Sequence, residues 1–107
     1  MFLIFICSIY SQDYSIYFDD YESIEFDSAK ETLTFTINRE EGLAQIIIIK
    51  QSADEYVFAT FTKEETSEPM IIDRKTVKWF MPTIIQSYVE KYGVSIAELN
   101  KIINHIY

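Results

Sequence analysis

Histidine and cysteine each occur once in this chain of 107 residues, and glycine and proline only twice each. Each shortage excludes a class of chemistry. With Cys7 alone, no internal disulfide can form, which fits a reducing compartment and a cytoplasmic protein. One cysteine and one histidine are too few for a zinc cluster. Gly42 and Gly93 lie too far apart to build a phosphate-cradling loop. Any nucleophile–histidine pair would have to use His105, on the last helical turn, where a general base is hard to hold rigidly. Asp19, Asp20 and Glu22 lack the spaced oxygens and the tight glycine turn of a calcium loop. No catalytic, cofactor-binding or metal-ligating residue is therefore assigned, and an enzyme is not expected.

Basic residues are also scarce. Nine Lys and Arg face seventeen Asp and Glu, for a formal charge of −8. Direct nucleic-acid binding needs a basic patch, and an anionic membrane repels such a chain. Long hydrophobic runs are absent except at the start, where residues 1–10 read MFLIFICSIY. This run is too short to span a bilayer and lacks the basic lead and small-residue cleavage pattern of a signal peptide. It reads as a buried strand over 2–10.

What is present is a core. Apolar residues make up 49% of the chain and aromatics 16%, enough for one domain without disulfide or metal staples. The period is two in the first part. Strands are expected over 14–18 and 22–27, with Ile24 and Phe26 on one face and Glu25 and Asp27 on the other. A turn at 19–21 joins them. Over 31–38, Leu33, Phe35 and Ile37 point one way and three threonines the other. Gly42 ends a hairpin loop and suits positive φ. The isoleucine run in 43–50 suits a central strand, and 55–62 and 70–72 complete a meander of four to six strands.

From Asp73 the period becomes helical. Asp73 is a candidate N-cap, Pro82 is expected to kink the helix or begin a new one, and Gly93 is a candidate C-cap. Ser95 with Glu98 forms a capping box for a last helix whose stripe is Ile96, Leu99, Ile102, Ile103 and Ile106. The expectation is a single α+β domain over 1–107: an antiparallel meander in an acidic part, 1–72, and a helical hairpin, 73–107, packed on one face of the sheet. Charge divides the same way. Residues 1–72 carry fourteen acids and four bases, or −10; residues 73–107 carry three acids and five bases, or +2.

Two stretches point towards function. Within Tyr88 to Ile102, Gly93, Val94, Leu99 and Ile102 resemble the turn and packing positions of a DNA-binding helix-turn-helix. The segment also resembles the second helix of peptidoglycan-binding LysM domains, without their Gly-Asp-Thr-Leu opening. The first resemblance implies a regulator, but the last helix offers base edges only Asn100, Lys101 and Asn104.

The other stretch is acidic and laced with tyrosine: Asp13, Tyr14, Tyr17, Asp19, Asp20, Tyr21, Glu22, Glu25 and Asp27. Carboxylates two residues apart on a strand are about 6–7 Å apart, close to the phosphate spacing of a nucleic-acid strand. Tyrosine adds contact area at low entropic cost. These nine residues are the candidate partner-binding set. The same residues also describe a sheet edge kept from aggregating by charge. In general character the chain resembles small acidic inhibitors of phages and mobile elements, including DNA mimics and anti-CRISPR proteins. That implies a basic protein partner such as a nuclease. An immunity protein against a basic toxin and a homodimeric assembly subunit are the alternatives, the latter because strands 2–10 and 43–50 are apolar on both faces.

Overall fold

The computed structural model describes residues 13–19, 21–39, 42–62 and 67–107. The strand expected over 2–10, with Cys7, lies outside them. Six strands form one antiparallel sheet in sequence order: β1 (Asp13–Tyr17), β2 (Ser23–Asp27), β3 (Thr32–Arg39), β4 (Gly42–Lys50), β5 (Glu55–Thr62) and β6 (Met70–Asp73). Two helices follow, α1 (Arg74–Tyr92) and α2 (Ile96–Ile103). The α+β meander with C-terminal helices is the architecture the alternating pattern predicts.

Register decides which side chains meet. Ile24 pairs with Phe35 and Phe26 with Leu33; Leu33 in turn faces Ile48, and Ile48 faces Phe58. Paired residues share a face, so these side chains form one apolar floor. Ile24, Leu33, Phe35, Ile48 and Tyr56 are fully buried there beneath Val77, Met81, Ile85 and Tyr88 of α1 and Leu99, Ile102 and Ile103 of α2. Met81 belongs to that core although the apolar spacing read for α1 omitted it. α1 packs on β5 and β6, and α2 on β2. The isoleucine run divides as a two-sided strand must: Ile46 and Ile48 face the helices, Ile47 and Ile49 the opposite side.

The caps fall where side-chain chemistry places them. Asp73 accepts the Thr76 N–H at 2.8 Å, Gly93 closes α1 at φ 66°, and the Ser95 hydroxyl accepts the Glu98 N–H at 3.1 Å. Gly42 has φ 122°, in the range that favours glycine. Pro82 departs from expectation, since α1 runs through it without a break. The bond lost is the one to the Lys78 carbonyl, and both residues are exposed, so water can serve that carbonyl while Met81 and Ile85 hold the buried side.

Tyr88 joins core and sheet. Its hydroxyl donates to the Thr36 carbonyl at 3.2 Å, and its ring stacks on Phe18 at 4.9 Å between centroids. Burial, and then the nearby Glu22 carboxylate, push this phenol far above its ordinary 10.0. In the unfolded chain Tyr88 ionises near pH 10, while the folded chain keeps the proton. Its contribution is therefore complete below about pH 10 and is lost as pH rises further. Urea titrations from pH 8 to 11 should show stability falling above pH 10, and Tyr88→Phe should flatten part of that fall; an unchanged slope in the variant would count against the assignment.

Candidate functional site

Both described helices pack on one face of the sheet, and among the described residues the other face is left open; its rows can be read from the register. One runs Asp13, Asp27, Thr32, Ile49, Val57, Ile71. The next runs Ser15, Glu25, Thr34, Ile47, Ala59, and the third Tyr17, Ser23, Thr36, Gln45, Phe61. The face is thus acidic and hydroxylated across β1–β3 and mostly apolar across β4–β6, where Gln45 and the Glu55–Asp73 pair are the polar positions. Thr36, Leu43, Gln45, Phe61 and Thr62 line an open depression of about 560 Å³ at the boundary.

The candidate residues do not all share this face. Asp13, Tyr17, Glu25 and Asp27 do. Asp13 and Asp27 stand directly opposite each other, an arrangement that costs stability. Backbone amides soften it: Asp13 accepts the Ser28 N–H at 3.3 Å, and Asp27 accepts those of Ala29 and Lys30 at 3.0 and 3.2 Å. Tyr17 is 69% exposed, and its phenol is raised above its ordinary value chiefly by a hydrogen bond to the Glu25 carboxylate. Two ion pairs occur among the described residues, Lys91–Glu22 and Lys101–Glu98, so Asp13, Glu25 and Asp27 carry charge without a paired cation there.

The others are placed elsewhere. Tyr14, one residue out of phase, lies on the helix side and stacks on His105 at 4.0 Å, with Phe26 on that imidazole at 5.5 Å. The lone histidine, an exposed side chain on the last turn, thus lies over two neighbouring aromatic rings. Asp19 shapes the β1–β2 turn: one carboxylate oxygen accepts the Tyr21 and Glu22 N–H groups, each at 2.7 Å, and the other accepts the Tyr92 hydroxyl at 3.2 Å. The two amides hold its acidity below the ordinary carboxylate range. Tyr21 is exposed at the tip of this turn, and Asp20 lies outside the described residues.

Glu22 is the largest departure from a continuous acidic surface. It is 1% exposed, with one oxygen accepting both Lys91 Nζ at 2.7 Å and the Asn38 N–H at 3.0 Å. The strand pattern did not reveal this, because its cation lies 69 residues further along the chain. Ser15, at the centre of β1 and opposite Glu25, lies on the same face as Asp13 and Tyr17 but stands outside the candidate set, since a lone serine carries no pattern of its own.

Among the described residues no group of three or more His, Cys, Asp and Glu is placed to hold a metal ion, and no helix is long and apolar enough to cross a membrane. The segment resembling a helix-turn-helix forms the end of α1, the Gly93 turn and α2, whose Leu99, Ile102 and Ile103 are buried against the core. The fold and surface define a class, a six-stranded meander backed by two helices with an acidic half-face. No protein-family model, curated protein or solved structure matches the chain.

Proposed function

We propose that the protein is a small, non-enzymatic binding protein whose uncovered sheet face engages a basic protein surface, such as the nucleic-acid groove of a nuclease. The supporting observation is the grouping of Asp13, Glu25 and Asp27 with Tyr17 on a face the helices leave open, without paired cations among the described residues. Such a field speeds encounter with a positive groove and fixes its orientation. The apolar rows beside it supply the area that charge alone lacks. Asp19 and Glu22 serve the turn and the core, so the interface is smaller than the acidic stretch of sequence.

The test is the triple variant Asp13→Lys, Glu25→Lys, Asp27→Lys, assayed against a panel of purified basic nucleases by binding and by inhibition of cleavage. Reversal should weaken binding by about 100-fold or more, with circular dichroism unchanged. Equal affinity of the variant would remove the acidic face from the interface; a panel with no binder would remove the nuclease as partner.

A second reading rests on the apolar rows: Ile47, Ile49, Val57, Phe61 and Ile71 on the open face suit a homodimer, in an assembly subunit. Sedimentation at micromolar concentration separates the two, since a strict monomer excludes obligate self-association.

A further inference from the structure

Among the described residues β1 is an outer strand of the sheet, and its hydrogen-bonding phase is fixed by two bonds. The Phe18 N–H donates to the Glu22 carbonyl at 2.9 Å. In an antiparallel ladder bonded and non-bonded pairs alternate, so the bonded pairs inward from there are Ile16 with Ile24 and Tyr14 with Phe26. The Lys50 N–H to the Glu31 carbonyl, at 2.9 Å, gives the same phase when carried across β4, β3 and β2. The backbone N–H and C=O groups of Asp13, Ser15 and Tyr17 therefore point out of the sheet edge. Their side chains lie on the uncovered face. Among the described residues no strand fills that edge, so one set of residues presents both an open backbone ladder and the acidic row.

We propose, resting on the binding function above, that the partner element is an extended basic segment that adds as a seventh strand along β1. Strand addition gives affinity through main-chain bonds and specificity through alternate side chains. Segment residues opposite Asp13, Ser15 and Tyr17 project onto the open face. Lysine or arginine at those positions reaches Asp13 directly and Glu25 and Asp27 one strand further in. The intervening residues project to the helix side, beside half-buried Tyr14, Ile16 and Phe18, and are apolar. The segment thus alternates basic and apolar residues. Charge disfavours a second copy in this position. A two-fold pairing about Ser15 would bring two sets of Asp13, Glu25 and Asp27 together on one face.

The test uses the full chain and a short peptide alternating lysine and valine, labelled for fluorescence anisotropy. Two further versions carry N-methyl groups on every second amide, in the two opposite phases. A glutamate–valine peptide is the charge control. Strand addition predicts that the lysine peptide binds, the glutamate peptide does not, and one methylated phase loses at least about tenfold while the other keeps its affinity. Ser15→Pro, which removes an outward N–H and leaves the inner ladder intact, should weaken the lysine peptide similarly. Equal affinity of both methylated phases, or no binding of the lysine peptide, overturns the inference. Either result leaves the acidic-face function standing if the triple charge reversal still abolishes nuclease binding. The methylated peptides read the ladder even if Ser15→Pro fails to fold.

Discussion

Lys91→Met is expected to lower the unfolding free energy by about 3 kcal/mol, because it leaves a buried carboxylate without its cation. The two partners are unequally placed. Glu22 is 1% exposed, whereas the Lys91 side chain is 54% exposed. Removing the lysine strands the buried partner; removing the glutamate frees a cation that water already reaches. After Lys91→Met the Glu22 carboxylate keeps only the Asn38 N–H, and its second oxygen already lacks a hydrogen-bond partner among the described residues. Glu22→Gln preserves an acceptor for that amide and should cost less, about 1–2 kcal/mol. In a domain of this size 3 kcal/mol corresponds to a fall in Tm of roughly 12–24 °C. Urea denaturation of both single variants and the double variant closes a cycle whose coupling term isolates the pair. A Lys91→Met variant within 0.5 kcal/mol of wild type would show that the carboxylate is served by other groups.

This pair also explains why the acidic stretch of sequence does not form one continuous surface. Local patterning was informative wherever the force is local. The alternation of Ile24 and Phe26 with Glu25 and Asp27, and the threonine parity of β3, fix faces within a strand, and the structure keeps both. Asp73, Gly93 and Ser95 act through backbone groups three or four residues away, so their roles could be read in place. Faces between strands are another matter. Tyr14 and Tyr17 belong to one strand, yet they lie on opposite sides because they differ by an odd number of residues, and only the helices define which side is covered. Glu22 looked like one more surface carboxylate because its cation arrives from α1, after five more strands have been laid down. Pro82 misled for a related reason: a helix anchored by buried Met81 and Ile85 tolerates a lost bond on its wet side. The short, separated polar rows on β1 and β2 become a surface only through cross-strand register, and the outward phase of Ser15 only through the bond at Phe18.

The last helix supplies a second large effect, from two isoleucines of one apolar stripe. Ile96 and Ile106 are equivalent in the sequence pattern, but Ile96 is 50% exposed and Ile106 is 0% exposed. Ile106→Ala should cost about 3 kcal/mol, within the range for truncating a buried isoleucine, whereas Ile96→Ala should stay within about 0.5 kcal/mol. More than the transfer of methyl groups is at stake. The Ile106 carbonyl accepts the hydroxyl of fully buried Tyr56 at 3.0 Å, and the neighbouring Tyr107 carbonyl accepts Lys50 Nζ at 3.2 Å. His105 lies on Tyr14, so residues 105–107 reach β1, β4 and β5 together. A cavity at Ile106 loosens the side chain that holds this backbone under Tyr56, and a buried phenol without its acceptor is costly. Tyr56→Phe should therefore lose about 1–2 kcal/mol alone and less than that when added to Ile106→Ala, because the first change has already weakened the bond. Denaturant midpoints measure the energies, and hydrogen exchange at the Ile102 and Ile103 amides shows whether α2 opens with the turn beyond it. Equal costs at Ile96 and Ile106 would mean that the stripe packs as a uniform face, and the distinction between its wet first turn and its buried last residue would fail.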